Sequence, residues 1–130
     1  MLKSIKTSES NRIIVAELTN KLNMGPENII ARIALTYSVS QGRKLNLSQI
    51  ADSKGKEYSS KVLFGENQEI YTALICQLYG ISSANLDIPK YIKMHIDDGL
   101  ELIQNIIQDN PNLTIFDFVL DQIDKGLKYL

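Results

Sequence analysis

The sequence has 130 residues with a single cysteine, 44% hydrophobic and 22% charged residues, and a net charge of −1 at pH 7. This length suits one compact domain, with or without a helical appendage, and its core needs no metal or disulfide. The lone Cys76 excludes an internal disulfide and a zinc site built from cysteines. No apolar run approaches the roughly 20 residues of a membrane span, and we expect a cytoplasmic protein without membrane association.

Charge is distributed unevenly along the chain. Residues 1–61 carry ten Lys and Arg against five Asp and Glu, whereas residues 62–130 carry four against ten. Such an asymmetry favours a surface that binds a polyanion and an opposite surface that repels it or meets a partner. The alternative is that both halves form solvated surface that mixes on folding.

The N-terminal third predicts a strand, a helix, a turn and a second helix. Imperfect alternation over residues 2–7 indicates a short strand. A helical stripe with four-residue spacing follows, formed by Ile14, Leu18 and Leu22. This helix should end at residues 23–25, where Gly25 favours a left-handed cap. Pro26 suits the first turn of the second helix, which Gly42 ends.

Residues 42–65 are the least periodic stretch, and they contain the candidate binding residues. Five basic side chains lie there: Arg43, Lys44, Lys54, Lys56 and Lys61. Basic side chains in a loop can contact phosphates without reading bases, which gives sequence-independent, salt-sensitive DNA binding. Tyr58 and Phe64 interleave with them and are candidates to stack on an exposed base. The alternative is that both rings anchor the loop to the core.

The C-terminal half predicts three helices. The first covers residues 66–79, with a stripe of Ile70, Leu74 and Leu78 that Tyr71 and Ile75 flank. A long helix opens at Pro89 and stops before Asn110, with a stripe of Ile92, Ile96, Leu100, Ile103 and Ile107. Thr114 and Asp117 resemble a capping box, and the last helix follows with a stripe of Phe116, Leu120, Ile123 and Leu127. The fold class is therefore mainly α, a helical bundle of about five helices.

Residues that could carry catalysis are few. His95, the only histidine, borders the apolar stripe of the long helix, where a structural role is the commoner one. Cys76 lies on an apolar helix, which favours a buried, inert thiol. The acids of the long helix are interpreted as its solvated face: Asp97, Asp98 and Glu101. Asp52 and Glu57 lie near Lys54 and Lys56, but their spacing fits no nuclease signature. We predict no catalytic residue, no metal site and no cofactor.

Five short pieces of the sequence resemble, in order and spacing, the DndE family of DNA sulfur-modification (phosphorothioation) proteins. They are residues 29–34 (IIARIA), 55–58 (GKEY), 63–66 (LFGE), 71–74 (YTAL) and 95–100 (HIDDGL). The resemblance covers roughly residues 2–107. It predicts one DndE-like helical domain over residues 1–110, with residues 111–130 as a C-terminal helical extension.

The resemblance implies a small helical subunit that forms a homo-oligomer, most simply a homotetramer. Such a subunit acts in a modification system of the restriction-modification type, beside a cysteine desulfurase, an ATP-pyrophosphatase-like protein and an ATPase. It implies binding of DNA, nicked duplex in particular, through surface lysines; a nicking activity is the family's other suggested role. No lysine of the family matches a position here, so the DNA-binding prediction for the five basic residues depends on charge and loop context.

Three functions remain open at this point. The first is a non-catalytic DNA-binding scaffold of the sulfur-modification machinery. The second is a nicking endonuclease of the same system, using Asp52 and Glu57 or a metal site that the sequence does not reveal. The third is a transcriptional repressor, because the first 41 residues also resemble a ribbon-helix-helix unit, which would read DNA through Lys3 and Ile5.

Overall fold

The structure is a computed structural model that describes residues 3–129. Its helices are α1 (Glu9–Leu22), α2 (Glu27–Ser40), α3 (Ser60–Phe64), α4 (Gln68–Tyr79), α5 (Ile88–Asp109) and α6 (Ile115–Leu127). Two short strands, β1 (Ser4–Lys6) and β2 (Glu57–Ser59), and two single 3₁₀ turns complete the described elements. The mainly helical fold is confirmed, with five long helices and the five-residue α3, which the sequence pattern did not predict. Within residues 3–129 no helix is long and apolar enough to cross a membrane.

The turn between α1 and α2 follows the prediction with a shift of its capping residue. Asn23, not Gly25, takes the left-handed conformation that ends α1, with φ of 54°. Asparagine tolerates this region of backbone conformation better than most non-glycine residues. Gly25 therefore lies in the turn after the helix and not at its end. Pro26 has extended backbone and directly precedes α2, one position earlier than predicted.

Helix α5 is the centre of the fold. All five residues of its predicted stripe are buried: Ile92, Ile96, Leu100, Ile103 and Ile107. Its main neighbour is α2, which contributes Ile30, Ala34 and Leu35 to the same core. The two helices approach most closely at Gly99, where a Cβ atom would lie 1.9 Å from the Ala34 carbonyl oxygen. Only glycine allows α2 to lie this close, and this contact determines the spacing of the bundle.

Helix α4 buries the flank of its predicted stripe. Ile75 is buried and Ile70 is 59% exposed, so the prediction was wrong for Ile70, whereas Leu74 and Leu78 are half-buried. The buried face instead follows Tyr71, Ile75 and Tyr79, which have the same four-residue spacing. Tyr71 stacks on Phe64 at 4.6 Å between ring centroids, and Tyr79 stacks on Tyr91 at 3.9 Å. These large rings bury more area than the competing aliphatic side chains, which explains why their face is turned inward.

Helix α6 lies at the edge of the bundle. Its predicted capping box is present between Thr114 and Asp117. Phe118 is its one buried residue, and it packs edge-on against Tyr37 at 5.3 Å. The stripe predicted to face the core is exposed instead, which corrects the prediction: Phe116, Leu120, Ile123 and Leu127. The described chain supplies no element that covers this face.

The strands β1 and β2 form an antiparallel ribbon that joins the N-terminus to the loop region. Ile5 lies opposite Tyr58, and Lys6 lies opposite Glu57. Beyond the strands, the Thr7 N–H donates to the Lys56 carbonyl at 2.9 Å. The predicted strand over residues 2–7 is thus present as Ser4–Lys6, and its first residue, Leu2, lies outside the described residues.

Candidate nucleic-acid interface

The β1–β2 ribbon brings two basic segments of the chain together. Lys3 precedes β1 and Lys6 is its last residue, while Lys56 and Lys61 lie on either side of β2. The backbone of Lys3 accepts a hydrogen bond from the Ser60 N–H, one residue before Lys61. All four of these lysines are exposed.

Arg12 extends the same surface from α1. Its guanidinium donates to the Gly55 carbonyl at 2.9 Å and to the Lys54 carbonyl at 3.4 Å. Gly55 is needed at this point because a Cβ atom there would lie 2.0 Å from the Ser8 carbonyl oxygen. We name these six exposed basic residues the ribbon patch: Lys3, Lys6, Arg12, Lys54, Lys56 and Lys61.

Four acidic side chains lie near the ribbon patch: Glu9, Glu27, Asp52 and Glu57. The Glu9 carboxylate is exposed and has no partner in residues 3–129, and the other three have one. Glu57 accepts a hydrogen bond from the Ser4 hydroxyl at 2.9 Å, and Glu27 lies 3.4 Å from the Lys56 ammonium. Asp52 accepts backbone hydrogen bonds from Glu9 and Lys54, which lower its carboxyl pKa. These carboxylates keep their negative charge, so the patch holds six basic side chains against four acidic ones, and in residues 3–129 only Lys56 of the six has an ion pair.

The structure separates the five predicted binding residues into two groups. Lys54, Lys56 and Lys61 belong to the ribbon patch. Arg43 and its neighbour Lys44 follow the C-terminal end of α2, where the Arg43 guanidinium forms a 2.6 Å ion pair with Asp98 of α5. Arg43 thus has a structural partner within the chain, whereas Lys44 is exposed.

A buried network around His95 lies beneath Arg43. Ser38 Oγ is 2.8 Å from His95 Nδ1 and donates to Asp98 Oδ2 at 2.6 Å. On the other side of the ring, Tyr79 Oη is 2.7 Å from His95 Nε2 and accepts the Leu45 N–H at 2.8 Å. The Ser38 proton is committed to Asp98, so these partners assign the imidazole proton to Nδ1 and leave Nε2 to accept from Tyr79. Burial lowers the pKa of His95 to about 4, so the ring is neutral at pH 7.

This arrangement does not resemble a nucleophilic triad. Such a triad needs a histidine between the hydroxyl and the carboxylate, whereas here the serine lies between the imidazole and Asp98. The network instead ties residues 43 and 45, the start of the basic loop, to α4 and α5. His95 is fully buried, in agreement with the structural role that the sequence predicts.

A second buried polar cluster joins α5 to the start of α1. Asp97 forms a 2.7 Å ion pair with Lys93, and both residues are buried. The same carboxylate accepts the Ser8 N–H at 3.1 Å and the Asn11 side-chain amide at 2.7 Å. The prediction that the acids of α5 form a solvated face was wrong for Asp97, because α1 and α2 both pack on the middle of this helix.

The two aromatic candidates for base stacking are core residues. Tyr58 is 3% exposed and Phe64 is 1% exposed. Neither ring can stack on a nucleobase from such a position, so the anchoring alternative is correct. Burial raises the pKa of the Tyr58 hydroxyl.

The residues of the two other hypotheses have defined surroundings. Asp52 and Glu57 make the hydrogen bonds described above, and within residues 3–129 no three His, Cys, Asp or Glu side chains cluster closely enough to hold a metal ion. Ile5, which a ribbon-helix-helix repressor would direct at DNA, is 2% exposed. Its strand pairs with β2 of the same chain, whereas the strands of ribbon-helix-helix dimers pair between two chains.

Sequence reasoning missed Ser38, Tyr79, the buried position of Asp97 and the contacts of Asp98 with Ser38 and Arg43. One signal was available: α5 has 22 residues in a chain of 130, and a helix this long is surrounded at its middle. Gly99 beside these acids also indicates close approach of another helix. The convergence of Lys3, Lys6 and Arg12 on the loop lysines had no local signal.

Comparison with known proteins agrees with a small helical protein of DNA modification. Residues 4–110 match the family model of the DNA sulphur modification protein DndE. The crystal structure of DndE from Escherichia coli B7A, involved in DNA phosphorothioation modification, is similar with a TM-score of 0.64 at 19% identity. That match covers 79% of this chain and 99% of the other. A DndE mutant with two glycine-to-lysine changes gives the same TM-score and identity, over 78% and 98%. No curated protein matches the chain.

The fold and the family match together define a helical protein of the DNA sulfur-modification class. The chain belongs to the DndE family, whose proteins are involved in DNA phosphorothioation. This family assignment, made from five short sequence pieces, is confirmed.

Proposed function

We propose that this protein is a non-catalytic, DNA-binding subunit of the DNA phosphorothioation machinery. The observation that carries the proposal is the convergence of six exposed basic residues from two distant segments on the β1–β2 ribbon. Four acids lie near these six residues, so the surface keeps a net positive charge. A polyanion is the ligand that such a surface attracts.

The chemistry of the ribbon patch favours contacts with the phosphate backbone. Its side chains are five lysines and one arginine that lie in β1, at the start of α1 and α3, and in the residues next to the strands, without an exposed aromatic ring among them. Arg12 is already engaged with two backbone carbonyls. The remaining ammonium groups act as mobile point charges, which contact phosphates without selecting bases. We therefore expect sequence-independent binding that weakens steeply with salt.

Arg43 and Lys44 contribute less to this proposal than the lysines of the ribbon patch. Arg43 would have to leave Asp98, which lies 2.6 Å away, in order to bind a phosphate directly. Lys44 is exposed and free to contribute. We retain both as secondary DNA contacts at the opposite end of the basic loop.

Titration with three matched DNA molecules tests the proposal. Fluorescently labelled duplexes of one sequence, intact, nicked and single-stranded, are titrated at three salt concentrations, and a duplex of scrambled sequence is the specificity control. We expect equal affinity for the two sequences, a steep salt slope and tighter binding to nicked duplex. Sequence-selective binding would contradict the scaffold proposal.

A plasmid relaxation assay separates the scaffold from the nicking endonuclease. Supercoiled plasmid is incubated with protein in the presence and absence of magnesium, and Asp52→Asn with Glu57→Gln serves as the paired variant. We expect the plasmid to remain supercoiled. Magnesium-dependent relaxation that this variant abolishes would replace the scaffold by an enzyme.

The domain and partner predictions complete the proposal. We propose that residues 1–110 form the family domain and residues 111–130 a C-terminal extension, which the limits of the family match support. We also propose a homotetramer that works in the cytoplasm with DNA and the other proteins of the sulfur-modification complex. The acidic C-terminal half supplies a surface for those proteins that repels DNA.

A further inference from the structure

An open apolar groove runs between α2 and α6. Its volume is about 740 Å³, and its apolar lining includes Ile29, Ile33, Tyr71, Phe118 and Ile123. Phe118 is the only buried residue of α6, and it attaches this helix to one wall of the groove. The opposite side of the groove is open to solvent. An open groove with an apolar lining suits the apolar face of another helix.

Helix α6 itself presents such a face. Phe116, Leu120, Ile123 and Leu127 are between 48% and 69% exposed. Their spacing of four, three and four residues is that of one seam of a helix-helix contact. A capping box starts this helix, so it has its own local stabilisation and is presented as a formed helix.

Two unpaired charges identify the occupant of the groove. Arg32 lines the groove, and its guanidinium has no hydrogen-bond or ion-pair partner in residues 3–129. Asp124 lies on α6 beside Ile123 and one turn after Leu120, and its carboxylate likewise has no partner there. The other acids of α6 are engaged, Asp117 in the capping box and Asp121 with Lys125 at 3.1 Å. An apolar groove with one free cation is complementary to an apolar helix with one free anion.

We infer that two copies of this chain pair through α6, each inserting this helix into the groove between α2 and α6 of the other. A two-fold axis makes each copy both give and receive a helix, so every complementary contact forms twice. The centre of the interface is a four-helix layer of two α2 and two α6 helices. An ion pair between Arg32 and Asp124 of the partner subunit closes each end.

This interface goes beyond the proposed DNA-binding function and does not depend on it. Helix α6 follows residue 110, where the family match ends, and the similar crystal structures cover at most 79% of this chain. The α6 pairing therefore uses a helix outside the family match, and in the proposed homotetramer it is one of two interfaces, the other lying within residues 1–110.

Sedimentation of charge-swapped variants tests the pairing. Arg32→Glu and Asp124→Arg each place like charges in the interface, and we expect each to raise the dissociation constant about tenfold. The variant with both changes restores two opposite-charge pairs in swapped orientation, and we expect it to associate within about threefold of wild type. A double variant no tighter than the single ones would overturn the charge pairing.

An apolar-to-acid pair of variants tests the helix face. Leu120→Glu should halve the sedimenting mass of the wild type, because it puts a charge into the centre of the seam. Leu86→Glu is the matched control, since Leu86 is 91% exposed in the loop before α5 and should leave the mass unchanged. Circular dichroism checks that both variants keep the helical content of wild type. A folded Leu120→Glu protein with the wild-type mass, or a wild type of one chain at tens of micromolar, would overturn the proposal.

Discussion

His95 couples the stability of the bundle to pH. Its ring is fully buried, with Nδ1 on Ser38 and Nε2 on Tyr79, and each hydrogen bond matches the neutral ring. A proton added at Nε2 would face the Tyr79 hydroxyl, whose oxygen already accepts from the Leu45 N–H. Tyr79 would then have to turn its own proton away from the ring. Burial outweighs the nearby Asp98, and it lowers the pKa from 6.5 to about 4.

The size of this coupling follows from the shift in pKa. The unfolded chain binds a proton on His95 below about pH 6.5, and the folded chain does so only below about pH 4. Between these values the unfolded state binds more protons, so stability falls as the pH is lowered. The full difference corresponds to about 3 kcal/mol of unfolding free energy, of which about 2 kcal/mol is lost between pH 8 and pH 5.

Urea denaturation of wild type and His95→Gln between pH 5 and pH 8 measures this effect. We expect the variant to be less stable at pH 8, because glutamine cannot keep both hydrogen bonds of the ring. The wild type should lose about 2 kcal/mol more than the variant on going to pH 5, since both proteins share all other titrating groups. His95 is the only histidine, so one NMR signal reports its pKa. Equal pH dependence of the two proteins, or a measured pKa near 6.5, would refute this reasoning.

Three other substitutions test the packing. Gly99→Ala should destabilise the protein by about 2 kcal/mol or more in thermal unfolding, because the new methyl group would overlap the Ala34 carbonyl. Gly126→Ala is its counterpart in α6, where a Cβ atom meets nothing within 4 Å, and it should stabilise by about 0.5–1 kcal/mol. Asp97→Asn leaves the buried Lys93 ammonium without its counter-charge and should cost about 3–5 kcal/mol in urea denaturation. A destabilisation below about 1 kcal/mol in Asp97→Asn would show that water reaches Lys93.

The long helix and the helix boundaries were predictable from local signals. The predicted limits of α5, from Pro89 to before Asn110, agree with the observed Ile88–Asp109. Here a single apolar stripe, a proline at the start and an Asn-Pro at the end all indicate the same element. The capping box of α6 was found in the same way, because its two residues are three apart in sequence.

The buried faces of α4 and α6 were not predictable from periodicity. Two stripes with four-residue spacing compete in α4, and the choice between Leu74 and Ile75 depends on the aromatic partners Phe64 and Tyr91. In α6 the stripe is real, but the described chain has no surface that covers it.

The candidate site was predictable in part. Local charge identified Lys54, Lys56 and Lys61, but not the contribution of the N-terminal segment. That contribution depends on the pairing of β1 with β2, which lies about 50 residues away in the sequence. A strand of three residues carries little sequence signal for its pairing partner. Arg43 was predicted from the same local positive charge, although it forms an ion pair with Asp98 of α5.

The salt dependence of DNA binding tests the ribbon patch most directly. Binding of nicked duplex is measured for wild type and for the variant with Lys54, Lys56 and Lys61 replaced by Ala. The variant should bind all sequences more weakly, and the slope of log K against log salt should fall by about 0.9 for each phosphate that its side chains no longer reach. The same slope in wild type and variant, in a folded protein, would contradict a DNA-binding surface on these lysines.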